Sequence, residues 1–269
     1  MMDAAINGDL RVRAVVDTRT MAWSPSPSAS VWRKRVHRVG PAESGQVTSV
    51  VRYDPGSRFP AHDHPDGEEI FVLEGIFSDE HGDWPAGTFL LNPEGFRHEP
   101  FSESGCVLLV KLRQFTGRDR QHVVIDTSRM DYVRGPIPGV AHKLLYEQPG
   151  FADRVTIERW DADTDLGTVC YPHGAELFVL DGEFSDEAGR YAAGCWTRFP
   201  IGSQHNPRSA SGCTLYVKRS GLIYPLLACR MLRHEGTPEC ELFLFRRLHP
   251  FYKEGIGHEI LYLIFCIIC

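Results

Sequence analysis

Residues Glu69 to Gly87, EIFVLEGIFSDEHGDWPAG, align without a gap to Glu176 to Gly194, ELFVLDGEFSDEAGRYAAG. The offset is 176 − 69 = 107, and it holds from Asp54/Asp161 through Lys111/Lys218. Upstream it becomes 108 at Val47-Thr48/Val155-Thr156, and 109 from Asp17-Thr18/Asp126-Thr127 to Val31/Val140. The second copy has therefore lost single residues at two places. A repeat at this spacing reduces the fold problem to one unit of roughly a hundred residues, used twice.

Within each unit the apolar residues fall in short runs such as VTSVVRY, EIFVLEGIF, TFLLN and CVLLVKL. They are rich in β-branched and aromatic residues and are punctuated by Gly, Pro and Asp, which is the pattern of strands joined by turns. FSDEHGDWPAG and FSDEAGRYAAG read as hairpin connections. Neither copy sustains a helical period, so the prediction is an all-β chain of two tandem barrels or sandwiches. The first unit is expected over 14–118 and the second over 119–220, joined near Phe115 to Gln121; 1–13 would be an N-terminal extension and 221–269 a tail. SPSPSAS, from Ser24, has a linker's composition, but its counterpart VRGPIPG lies inside the second copy, which makes it an ordered lead-in to each unit.

The chain has 269 residues, 42% hydrophobic and 24% charged, ample for a core. A net charge of −6 without a Lys/Arg-rich block speaks against nucleic acid or an anionic membrane as partner. MMDAAINGDLRVR carries acid where a signal peptide needs a basic region, and the apolar run from Ile260 to Cys269 is too short to cross a bilayer as a helix. A cytoplasmic location is expected, with reduced cysteines; Cys106 and Cys213, heading GCVLLVK and GCTLYVK, read as small buried residues. The tail holds Cys229, Cys240, Cys266 and Cys269 and ends in LIFCIIC; a lone terminal Cys-x2-Cys is weak as a metal site, and the segment reads as a loose or docked extension, or as a shifted reading frame.

The chemistry concentrates in PAHDHPDGEEIFVLEG, Pro60 to Gly75. On an extended strand His62 and His64 point the same way, and Glu68 shares their parity while Glu69 does not. His98 follows the turn Pro93-Glu94-Gly95. Three imidazoles and a carboxylate suit one divalent metal, with Fe or Zn foremost and Mn or Ni also admissible. Positions left open on it would serve water, a substrate or dioxygen.

These spacings resemble the cupin superfamily. Gly56, His62, His64, Glu68 and Gly75 meet its first motif, and Gly87, Pro93, Gly95 and His98 meet the second, with Ser102 where that motif has Asn. The phrases GEEIFVLEGIFSDEHGDWPAGTF and SGCVLLVKLRQ further resemble ChrR-type cupins, over nearly all of residues 14–220. The resemblance implies two tandem β-jelly-roll barrels with the metal inside the first, and, by analogy, a homodimer. In the second copy His62, His64 and Glu68 become Val169, Tyr171 and Ala175, and only His98 persists, as His205. His173 and Glu176 are conceivable substitute ligands, but their spacing is unplanned for one site.

Two functions follow as expectations. The first is a mononuclear non-heme metal oxygenase of the diketone-cleaving dioxygenase type, acting on a small organic substrate. Phe89, Leu91 and Phe96 are candidates to line its pocket; no catalytic base is assigned, and Glu68 is the one acid placed to serve. The second is a ChrR-like zinc cupin that senses or regulates, as in the zinc-dependent anti-sigma factors. The short stretch ahead of the first unit turns the expectation toward the enzyme.

Overall fold

The computed structural model describes residues 5–117 and 119–220, so the tail and its cysteines lie outside the described residues. Both copies fall within one compact unit. Among the described residues the helical content is two 3-10 turns, Thr18–Thr20 and Thr127–Arg129, at equivalent places in the two copies. The remaining regular structure is antiparallel sheet, as the alternation and turn residues predict.

Each copy builds a large sheet with the same strand order. In the first it runs Thr88–Asn92, Glu68–Asp79, Cys106–Leu112, Gln46–Tyr53, Val31–Val39 and Ser24–Pro25. In the second it runs Cys195–Phe199, Ala175–Asp186, Cys213–Arg219, Arg154–Trp160, Val140–Glu147 and Val133–Arg134. Shorter strands, His62–His64 with Phe96–His98 and Ser57–Arg58 with Phe101–Ser102, close the opposite wall of the first barrel. The SPSPSAS segment is ordered: Ser24 and Pro25 pair with Arg33 and Trp32. Gly75 shows why the motif needs glycine, since at φ +73° a Cβ would sit 2.1 Å from the Gly105 carbonyl oxygen.

The outermost strand of each large sheet is exchanged. Ala14–Asp17, the first strand of the chain, pairs with Cys195–Phe199 of the second copy, and Val123–Asp126 pairs with Thr88–Asn92 of the first. Each sequence repeat therefore lends its first strand to the other barrel. The two large sheets are hydrophobic on both faces. One face fills its own barrel, with Val51, Ile70, Val72 and Leu108 in the first and Leu177, Val179, Leu215 and Val217 in the second. The other faces meet back to back in a third core made by both copies, including Val50, Phe71, Phe89, Leu109, Ile157, Phe178, Trp196 and Tyr216.

A cluster of buried charges sits in that shared layer. Lys218 Nζ donates to Glu69 Oε2 at 2.8 Å and to Asp153 Oδ2 at 3.0 Å, while Tyr216 donates to Glu69 Oε1 at 2.7 Å. In the mirrored position Lys111 donates to Glu176, which also accepts from Trp196 Nε1 at 3.2 Å. Each lysine thus reaches the glutamate of the opposite copy. Burial disfavours the Lys218 ammonium, but Glu69 and Asp153 outweigh it and raise its pKa. Glu69 does face away from the histidines, and its partner is the other barrel. Cys106 and Cys213 are buried in the two barrel interiors, which pushes their thiols up to about 11 and about 12.

Candidate metal centre

The strand His62–His64 is three residues long and pairs antiparallel with Phe96–His98, setting His62 opposite His98 and His64 opposite Phe96. Two tight turns anchor it, and both hang on one carbonyl: Gly67 N and Gly95 N donate to His64 O at 3.2 and 2.8 Å. Gly67 adopts φ +72°, and a Cβ there would lie 2.7 Å from Phe115 Cβ. The Pro65–Gly67 turn then delivers Glu68 as the first residue of its long strand, paired with Asn92 and Leu112.

The four residues converge. Nε2 of His64 and His98 are 3.0 Å apart, and Glu68 Oε2 lies 3.4 and 3.5 Å from them. His62 completes the group: the ligand atoms of His62, His64 and His98 all lie within 4.8 Å of one another. No other cluster of three or more potential metal-ligating side chains occurs among the described residues. His64, Glu68 and His98 are buried, and His62 is half-buried at the cavity side.

The orientation of the rings is fixed from behind. His62 Nδ1 lies 2.8 Å from Pro60 O, and His98 Nδ1 lies 3.3 Å from Asp79 Oδ2. Neither oxygen can donate, so each Nδ1 carries the proton and each Nε2 presents a bare lone pair to the cluster. Asp79 is itself held by His81 N at 2.9 Å, and Asn92 Nδ2 donates to Glu68 Oε2 at 3.0 Å. Burial pushes the His64 imidazole pKa down, with Glu68 opposing. For His98 burial also disfavours charge, but the Asp79 hydrogen bond and the Glu68 carboxylate raise its pKa overall. Separations of 3.0 to 3.5 Å among the His64, Glu68 and His98 donors match the edges about 3.0–3.4 Å long that adjacent ligands make at bonds near 2.1 Å, and the His62 donor lies within 4.8 Å of the other two histidines'. The set fits a divalent metal.

Asp79 was not singled out by the sequence, although a signal existed. The phrase FSDE is kept in both copies, and Asp186 holds His205 Nδ1 in the same way at 2.9 Å. The expected pocket lining needs a correction at Phe89, Leu91 and Phe96. Phe89 and Leu91 point into the core between the barrels, and Phe96 stacks on His122. The strand Thr88–Asn92 is buried on both faces, so its apolar run carries no parity signal, and Leu90 faces the barrel interior instead. The cavity over the histidines, about 180 Å³, is lined on its apolar side by Val51, Ile70, Phe77, Leu108 and Val110.

In the second barrel aromatic side chains crowd His205. Tyr171, in place of His64, brings its hydroxyl 3.2 Å from His205 Nε2, and the Phe199 ring centroid is 4.2 Å from the imidazole. Glu158 and Arg219, where the first copy has Val51 and Leu112, form an ion pair at 2.5 Å, with the carboxylate buried and the guanidinium part-exposed. Glu176 is committed to Lys111 and His173 is exposed, so neither replaces a lost ligand.

Two jelly-roll barrels, each motif histidine inside its own barrel, define a bicupin. The ChrR cupin-like domain matches residues 11–116 and again 120–222, and the chain belongs to that family. No curated protein matches it. Among solved structures, a putative dioxygenase from Nostoc punctiforme superposes with a TM-score of 0.66 at 16% identity, covering 79% of this chain and 84% of its own. An oxalate decarboxylase gives 0.55 at 10%, covering 82% and 84%. The bacterial pirin YhhW of Escherichia coli, solved with nickel(II), gives 0.56 at 14%, covering 78% and 99%. At these identities the likeness is one of fold. No described helix is long and apolar enough to cross a membrane.

Proposed function

We propose that this bicupin is a mononuclear metal enzyme of the oxygenase type, with His62, His64, Glu68 and His98 holding one divalent ion in the first barrel. The observation that carries the reading is the conjunction of four preorganised donors with a cavity of about 180 Å³ directly over them. A bound metal would supply Lewis-acid polarisation and, if iron, dioxygen activation. The chain's own residues do the rest. Asp79 and the Pro60 carbonyl orient the imidazoles, Asn92 holds the Glu68 carboxylate, and the apolar wall keeps bulk water from a small organic substrate. Iron is the metal this reading expects. That the Nostoc relative is named a putative dioxygenase and that oxalate decarboxylase shares the fold favour an enzyme.

The family match also favours a second reading, a zinc cupin that senses or regulates. Metal analysis of the full chain purified without oxygen separates the two. Iron with substrate-dependent oxygen uptake supports the enzyme, whereas tight zinc without turnover supports the regulator. His98→Ala should bind no metal in the first barrel; an unchanged stoichiometry would overturn the ligand assignment.

A further inference from the structure

Three arginines line the same cavity as the histidines: Arg33, Arg35 and Arg113. Arg33 and Arg35 lie two apart on Val31–Val39, opposite Val51 and Ser49, and so share the inward face. Their side chains are only 17% and 14% exposed. Burial, together with the neighbouring Arg33, pushes the Arg35 guanidinium pKa down.

Two guanidiniums side by side in a partly dry wall need an anion. In this structure they share one: Glu43 accepts from Arg33 Nη1 at 2.7 Å and from Arg35 Nη2 at 2.9 Å. Glu43 itself is 52% exposed, on the turn where Ser44 N and Gly45 N donate back to Pro41 O. A single carboxylate leaves one positive charge uncompensated, and Arg35 Nε is buried without a hydrogen-bond partner. Glu43 marks where a carboxylate sits when it bridges the pair, and it sits there on a tether at the mouth.

The second copy supplies an independent comparison. At offset 109, Arg33 becomes His142 and Arg35 becomes Leu144, in the same register against the neighbouring strand. The arginine pair is therefore absent from the barrel that has also lost three of its four metal ligands. Tyr53 lines the same cavity as Glu68 and Arg33. The space is smaller than the roughly 300–1,000 Å³ of drug-sized sites.

We infer that Arg33 and Arg35 form the carboxylate subsite of this cavity. The ligand is a small carboxylic acid whose acid end displaces Glu43 and whose other end faces the histidine cluster. The inference rests on the metal-enzyme reading only for what meets that second end. Calorimetric titration of the full chain, metal-free and zinc-loaded, with succinate and with levulinate tests it, using acetylacetone as a neutral control. At least one acid should bind, and more tightly than acetylacetone. Arg35→Met should weaken it about 10- to 100-fold, the loss of a charge-assisted hydrogen bond. Glu43→Gln, at an exposed position that leaves the fold intact, should strengthen it several-fold. Failure of both acids to bind wild type and Glu43→Gln, or an affinity indifferent to Arg35→Met, overturns the subsite. A wild-type chain that takes no zinc but binds an acid in an Arg35-dependent way sinks the metal reading and leaves the subsite standing.

Discussion

Replacing Lys218 by Met tests the charge cluster that joins the two barrels. Lys218 is 3% exposed, and its ammonium is shared between Glu69 at 2.8 Å and Asp153 at 3.0 Å. Asp153 keeps Arg120 at 3.0 Å after the substitution, whereas Glu69 keeps only the neutral Tyr216 hydroxyl as a hydrogen-bond donor. One carboxylate, itself 1% exposed, is left buried without its counter-charge. Breaking a buried pair in this way costs about 3–5 kcal/mol. At about 2–4 °C per kcal/mol for a body of this size, the melting temperature should fall by roughly 6–20 °C.

The cost should trace to the stranded Glu69 carboxylate. Urea denaturation midpoints of wild type, Lys218→Met and Lys218→Met/Glu69→Gln at neutral pH measure it. The double variant removes the stranded charge and should recover more than half the loss. A single-variant loss below about 1 kcal/mol, or no recovery in the double variant, would refute the idea that the cluster is held by charge compensation.

Two further predictions follow from the paired histidine–aspartate contacts. Asp79→Asn should leave the chain folded but lower zinc affinity by about 10–100-fold, read by competition with a chelator, because His98 loses the carboxylate that orients it. Asp186 is held from its ordinary 3.8 down to about 2: burial opposes this, but His205, the Ala188 amide, Arg13 and Tyr191 outweigh it. With a depressed folded pKa its contribution is present above pH 4 and lost as pH falls toward 2, so Asp186→Asn should abolish roughly 2 kcal/mol of that acid dependence in denaturation midpoints.

The all-β character, the duplication and the histidine cluster were legible because each leaves a local mark: alternation, a fixed offset, and histidines whose parity a three-residue strand preserves. Strand exchange leaves no such mark. Val15-Val16 and Val123-Val124 would complete either sheet equally well by pattern, and only the packed arrangement shows that each crosses over. The face of Phe89 and Leu91 was illegible for a related reason, since burial on both sides erases the period that assigns a face. Arg33 and Arg35 were visible in principle as an i, i+2 pair, but their inward direction depends on register against Val51 and Ser49.

The adjacent glutamates connect these observations. Glu68 opens its strand facing the histidines, and Glu69 faces the other barrel, where Lys218 and Tyr216 hold it. Fixing Glu69 from behind fixes the strand start, and so the reach of Glu68 toward His64 and His98. The second barrel keeps Glu176 and Lys218 although its own ligand set has become Val169, Tyr171 and Ala175. That barrel still lends a strand, a lysine and a tyrosine to its neighbour, while its own interior is filled by side chains such as Phe199 and Glu158.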